Sequence, residues 1–234
     1  MQRILITGGN RGIGLGLVRQ YLARGEWVFA TARQPQAATE LQNLRQQYPD
    51  TLSIVQLEVT DAVSITASVE AVRAQTDALD ILINNAGINP DRPQQNFGKV
   101  KAEAMLHVLN VNAVAPLMVV QAYHDLLTAG TNPCLVNVSS QMGSLTRKTS
   151  GGEYSYCTSK AALNMVTRAL AGDLRGAGVI TITVHPGWVQ TDMGGSHATL
   201  TPQESALGML DLIDNLSAQD NGGFFNWNSQ PHPW

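Results

Sequence analysis

The chain has 234 residues, enough for one sizeable hydrophobic core and not comfortably for two. Charged residues make up 14% of it, against roughly 25% in an ordinary soluble protein, and the apolar share of 44% is unremarkable. With 15 Lys and Arg against 18 Asp and Glu the net charge is −3, so no concentrated basic surface is available and a nucleic-acid partner is not expected. No run approaches the roughly 18 unbroken apolar residues of a spanning helix. Residues 1–6 (MQRILI) lead directly into TGG without the apolar region of a signal peptide. A soluble, cytoplasmic protein with no membrane partner is the expectation. Cys134 and Cys157 match neither a CxxC metal spacing nor a small disulfide framework, and are expected to be neutral thiols.

In chain order, short β-branched runs alternate with longer segments of helical period, the pattern of a mainly parallel sheet with crossover helices. Strands are expected at 3–7, 27–31, 52–57, 81–84, 134–139 and 179–185. Helices are expected at 12–24, 37–47, 61–76, 99–128 and 155–175, with another after Thr201 and Pro202. Thr201 would cap that last helix, with Glu204 at capping-box spacing, and Asp61 would cap the helix that follows it. No repeat, low-complexity tract or linker divides the chain. The expectation is therefore a single-domain α/β doubly wound Rossmann fold over residues 1–234, with about seven strands and helices on both faces.

The first unit carries the strongest local signal. Residues 3–7 (RILIT) run into Gly8-Gly9-Asn10-Arg11-Gly12-Ile13-Gly14, and Leu15, Leu17, Val18, Tyr21 and Leu22 then form a helical stripe. Glycines there let the backbone turn tightly and approach a pyrophosphate, whose charge would sit among the free N–H groups of the helix N-terminus. Farther on, Tyr156 and Lys160 are four residues apart and share a helix face. A phenol is a poor base near neutrality, and an adjacent ammonium favours its ionised form. On this reading Lys160 makes Tyr156 a usable proton donor in reduction or acceptor in oxidation.

These residues resemble the short-chain dehydrogenase/reductase family. Its TGxxxGxG pattern is matched by Thr7 to Gly14, and five further matches follow in the family's order: 84–87 (NNAG), Asn112, 137–140 (NVSS), 156–160 (YCTSK) and 185–193 (HPGWVQTDM). The stretch 186–200 and the ending 223–234 look most like the carbonyl-reductase-like branch that includes the sniffer and C-factor proteins. The resemblance implies an NADPH-dependent oxidoreductase that reduces an aldehyde or ketone to an alcohol, reversibly in principle, with Tyr156 as acid/base and Lys160 also holding the nicotinamide ribose. The family's NxSSxxG spacing selects Ser140 as the serine that hydrogen-bonds the substrate oxygen, with Ser139 the second candidate. The family's asparagine, here Asn112, uses its backbone carbonyl to hold a water that connects to the lysine. Pro116, four residues on, has no N–H to occupy that carbonyl, in agreement with this role.

NAD-preferring members carry an acid after the second strand; here that position is Ala32, followed by Arg33. Arg11 is the other position at which NADP-preferring members are basic, so NADP(H) is expected over NAD(H), with both guanidinium groups near the 2′-phosphate. The resemblance further implies cofactor contacts from Gly8, Asn10, Gly12, Ile13, Gly14, Glu58, Val59, Asn84, Ala86, Gly87, Pro186, Gly187, Val189, Thr191 and Met193. Thr191 is the candidate for the carboxamide. Glu58 departs from the usual aspartate at the adenine edge.

Segments 88–97, 141–153 and 188–200 are the expected substrate loops, and Met142, Trp188 and Met193 would give a partly apolar pocket for a neutral small-molecule carbonyl or alcohol. A Ser/His/Asp hydrolase is disfavoured because no GxSxG elbow is present, and the five histidines have no metal spacing, so no metal is expected. The alternative from another class is a nonenzymatic NADP-binding regulator on the same fold. Sparse charge is compatible with a homodimer or homotetramer but locates no interface.

Overall fold

The structure is a computed structural model that describes residues 1–90 and 92–234; Asp91, inside the expected 88–97 loop, lies outside the described residues. Seven strands form one parallel sheet: β1 (Arg3–Ile6), β2 (Trp27–Ala32), β3 (Leu52–Gln56), β4 (Ile81–Asn84), β5 (Cys134–Val138), β6 (Ile180–His185) and β7 (Phe224–Asn226). Their order is β3-β2-β1-β4-β5-β6-β7. The helices are α1 (Gly12–Ala23), α2 (Thr39–Gln47), α3 (Ala62–Arg73), α4 (Ala102–Leu109), α5 (Ala115–Thr128), α6 (Tyr154–Asp173) and α7 (Pro202–Asp214). This is the doubly wound Rossmann arrangement expected from the strand and helix periods.

Alternation along the strands divides the core into two layers. Ile4, Ile6, Val28, Ala30, Val136 and Val184 face Leu17, Val18 and Tyr21 of α1 and Met209 and Leu210 of α7. Leu5, Phe29, Leu82 and Leu135 face the other way, against Val69 of α3, Val119 and Tyr123 of α5, and Leu170 of α6. Asp61 caps α3 by accepting from Val63 N–H at 3.1 Å. The Thr201–Glu204 capping box at the start of α7 is complete, with bonds of 3.2 and 2.8 Å.

Two elements differ from the expectation. The helix expected at 99–128 is broken by a π turn over Asn110–Val114, where the Ala115 N–H reaches back five residues to the Asn110 carbonyl. Pro116 cannot donate to the Asn112 carbonyl, and the widened turn absorbs that missing bond without ending the helix. By length and composition Ala102–Thr128 is apolar enough to cross a membrane, yet its inner residues Val119, Val120, Tyr123, Leu126 and Leu127 are core residues. Strand β7 is the other difference: three residues are too few for a period-two pattern to be read, and it forms because α7 returns the chain beside β6.

The order reverses between β1 and β4, which opens a crevice at their C-terminal ends. The opposite end of these strands is tied by Asp80, whose side chain is 4% exposed. Its carboxylate accepts from Arg3 Nε at 3.0 Å and Nη2 at 2.8 Å, and from the backbone N–H groups of Arg3 and Thr131, both at 2.7 Å. Burial alone would raise the carboxyl pKa, but the bonds from Arg3 and Thr131 outweigh it and hold the group below its usual value. A carboxyl depressed in the folded state contributes stability above its unfolded pKa and loses it as pH falls through the folded value. Asp80→Asn should therefore destabilise the protein by about 2–4 kcal/mol near pH 7. In urea titrations the gap to the parent should close as pH drops below about 4.

Candidate active site

The crevice is floored by the turn from Thr7 to Gly14. Gly8 and Gly12 adopt left-handed φ of +66° and +54°, which lets the chain leave β1 and enter α1 within a few residues. Gly14 is required for a different reason: a Cβ there would run into the Gly8 carbonyl and lie 2.5 Å from Asn85 Nδ2. The first residues of α1 carry neither a side-chain cap nor an acid, so the opening N–H groups of the helix are left for an anion.

The 84–87 loop locks this turn from beneath. Thr7 Oγ1 accepts from the N–H groups of Asn85 and Ala86, both at 3.0 Å, and Asn85 Nδ2 donates to the carbonyls of Thr7 and Gly8 at 2.9 and 3.1 Å. Asn85 was not among the expected site residues. Strand alternation carries the signal, because it sends the two adjacent asparagines in opposite directions. Asn84 is turned into the core, where it donates to Asn137 Oδ1 at 2.9 Å and to the Pro116 carbonyl at 3.3 Å.

Two expected cations stand at the rim. Arg33 is exposed at the end of β2 and makes no ion pair or side-chain hydrogen bond among the described residues. Arg11 is also exposed and pairs with Asp192 across the crevice at 2.8 Å. Asn10 and Ile13 belong to the same turn. Glu58 folds back onto its own loop, accepting from Thr60 N–H at 3.2 Å and Thr60 Oγ1 at 2.9 Å, with Val59 between them.

On the far side, the segment after β6 lies over the turn, and a Cβ at Gly12 would be 3.1 Å from Thr191 Cγ2. Pro186 is held through its carbonyl by Ser205 Oγ at 2.6 Å, Gly187 turns the chain, and Val189 is buried. The Thr191 hydroxyl donates to the Val189 carbonyl and accepts from Gly194 N–H at 3.0 Å. Trp188 is half-exposed, with its indole N–H on the Gly194 carbonyl at 2.9 Å; Met193 is similarly exposed.

The Ser, Tyr and Lys candidates converge between β5 and α6. Ser139 faces inward and donates to Asn164 Oδ1 at 2.7 Å. Ser140 points the other way and accepts from Met142 N–H at 3.1 Å; its hydroxyl favours the ionised form of the Tyr156 phenol. Lys160 Nζ donates to the Val138 carbonyl at 2.9 Å and lies 5.8 Å from the Tyr156 ring centre. Gly143 brings its turn hard against the helix: a Cβ there would lie 2.7 Å from the Lys160 carbonyl carbon. Asn112 sits beside Gly87 and uses its side chain on Ile88 N–H, the Ile88 carbonyl and Ser159 Oγ, at 2.8, 2.8 and 3.0 Å. Its backbone carbonyl is the group that Pro116 leaves without an α-helical partner.

The electrostatics correct one expectation. Lys160 was expected to favour the Tyr156 phenolate, but burial pushes the phenol up to about 12, with Ser140 and the charge of Arg92 acting the other way. Burial also lowers Lys160 to about 8. Removal from water disfavours the charged form of each group. Tyr156 therefore holds its proton firmly, which suits a donor better than an acceptor.

Architecture and crevice define a Rossmann-type oxidoreductase. Residues 2–200 match the family model described as short chain dehydrogenase, and the chain belongs to that family. The C-signal protein of Myxococcus xanthus is 43% identical over 164 residues, which span 70% of this chain and 98% of the relative. An NADPH-bound carbonyl reductase from chicken fatty liver superposes with a TM-score of 0.94 at 40% identity, covering 100% of this chain and 99% of the other. The carbonyl reductase Sniffer of D. melanogaster superposes with a TM-score of 0.94 at 34% identity, with 100% of both chains covered. These similarities place the chain in the sniffer and C-factor-like branch.

The buried lysine predicts an unusual response to alkali. Its folded pKa of about 8 lies below the ordinary 10.5. Between these values the unfolded chain binds more protons, so this group makes the folded state more stable as pH rises through that window. The gain should be about 2 kcal/mol between pH 8 and 10, and it should be absent from Lys160→Met in parallel denaturant titrations.

Proposed function

We propose that the protein is an NADPH-dependent carbonyl reductase that converts a neutral aldehyde or ketone to an alcohol. The observation that carries this reading is the convergence of Ser140, Tyr156 and Lys160 beside the glycine turn, with the phenol buried and protonated. The residues present fit a dinucleotide: the glycine turn offers an uncapped helix N-terminus to a pyrophosphate, and Arg11 and Arg33 stand at the rim without a carboxylate at position 32. That cofactor, when bound, supplies the hydride.

Ser140 hydrogen-bonds the carbonyl oxygen and polarises it. Tyr156 gives its proton to the oxygen as negative charge develops there, and its high affinity for that proton keeps the donor loaded at neutral pH. Lys160 orients the ribose hydroxyls, and its proton is replaced through a water on the Asn112 carbonyl. Glu58, Val59, Ala86, Gly87, Pro186, Gly187, Val189 and Thr191 border the cofactor, and Asn84, turned into the core, supports the strand end beneath them. Segments 88–97, 141–153 and 188–200 enclose the substrate, with Met142, Trp188 and Met193 as its apolar contacts. The NADPH bound to the chicken carbonyl reductase supports the cofactor assignment.

Tyr156→Phe should lower NADPH consumption with a good carbonyl substrate by at least about 100-fold, while NADPH binding followed by fluorescence stays intact. Unchanged turnover would remove Tyr156 from the mechanism. Arg33→Ala should weaken kcat/KM for NADPH by about 10- to 100-fold and leave NADH nearly unaffected; a parent preference for NADH would sink the cofactor assignment. Failure of aldehydes, ketones and quinones alike to consume NADPH, with binding intact, would favour the nonenzymatic regulator.

A further inference from the structure

Helix α6 carries Tyr156 as its third residue, and it starts without a cap of its own. The preceding residue, Glu153, is in left-handed backbone (φ +52°), makes no side-chain bond to the helix, and no acid stands in the first turn. The side chain at that position would ordinarily take the N–H of the third residue, which here belongs to Tyr156. Glu153 is directed instead to Arg92, with Nε and Oε1 3.8 Å apart.

The missing acceptor comes from 61 residues earlier in the chain. Gln95 Oε1 accepts from the Tyr156 backbone N–H at 2.9 Å. Its Nε2 donates to Asn89 Oδ1 at 2.8 Å and to the Pro90 carbonyl at 2.6 Å. Pro90 can offer only an acceptor and Tyr156 N–H only a donor, so the chemistry of the neighbours sets which end of the amide faces which. Gln95 is 4% exposed, and a buried amide with three bonds to fixed partners has little freedom to shift.

We propose that Gln95 is a positioning residue for Tyr156: its carboxamide sets the first turn of α6, and with it the aim of the phenol, from a segment that borders the substrate pocket. Among the described residues, Gln95 makes no hydrogen bond to the glycine turn or to Lys160. Arg92 extends the same connection by donating to the Met193 carbonyl at 2.8 Å, which joins this segment to the one after β6. Order in the pocket wall and alignment of the donor are thereby one variable. The inference rests on the reading of Tyr156 as proton donor.

Two variants and two readouts test it. In Gln95→Leu the Tyr156 amide should exchange with deuterium about 10-fold faster or more in the cofactor-free protein, because its acceptor is gone. In the same variant kcat should fall about 10- to 100-fold, with the Kd for NADPH within about twofold of the parent. Gln95→Glu supplies a readout that packing alone would not move. A protonated glutamic acid can still accept from Tyr156 and donate to Pro90, whereas the ionised form sets an anion against two acceptors. Its kcat should approach the parent's in acid and decline as pH rises through a carboxyl pKa above the ordinary value of about 4.3.

Parent-like Tyr156 exchange and kcat in Gln95→Leu, or a Gln95→Glu profile that parallels the parent's, would overturn the proposal. Should Gln95→Leu fail to fold, the Gln95→Glu profile decides alone. A Tyr156→Phe variant that keeps its turnover would refute the proton-donor reading instead, and the exchange rate would still report on the Gln95 contact.

Discussion

The site is organised by one buried cation. Lys160 is 5% exposed, and its ammonium, out of bulk water, is anchored on the Val138 carbonyl at the end of β5. An ammonium in such a place is costly, and the cost is visible in its depressed affinity for a proton. Its surroundings must close around it at backbone distance. Gly143 abuts the Lys160 backbone, and a Cβ at Gly87 would stand 3.6 Å from Nζ and 3.2 Å from Asn112 Oδ1. Gly143 is thus required by the backbone of Lys160 itself, whereas the tight neighbour of Gly87 is Asn112.

The same dry environment sets the behaviour of the phenol. A tyrosine in water beside an ammonium would ionise more readily, but here burial dominates and the proton is retained. Ser140 and the charge of Arg92 act against that effect. The serine pair shows how finely the backbone distributes roles. Ser139 turns into α6 to bond Asn164, while Ser140, its neighbour, turns to the phenol.

Rigidity beneath the crevice comes from polar groups inside the sheet. Asn84 of β4 bonds Asn137 of β5, which donates to Thr167 of α6 at 2.9 Å. This side-chain chain ties two central strands to the helix that bears Tyr156 and Lys160. At the other end of β4, Asp80 fastens the strand to β1 and to the turn before β5. Beyond the C-terminal ends of the strands, Arg92 donates to the Met193 carbonyl and Gln95 accepts from the Tyr156 N–H, which joins three segments around the crevice.

Much of this was legible in the sequence because it rests on local patterns. Short β-branched runs and helical stripes placed six of the seven strands and the crossover helices to within a few residues, apart from the π turn inside 99–128, and the spacing of Tyr156 and Lys160 put them on one helix face. Caps such as Thr201–Glu204 are local too, since their partners lie within three or four residues. What the tertiary structure alone decided is what depends on residues distant in the chain. It assigned Asn85 to the glycine turn and Gln95 to the N–H of Tyr156, spans of 78 and 61 residues. It also made burial, and not Lys160, the largest influence on the Tyr156 phenol. A pKa is set by how much water the fold removes, and that quantity exists only once the helix has been packed against the sheet.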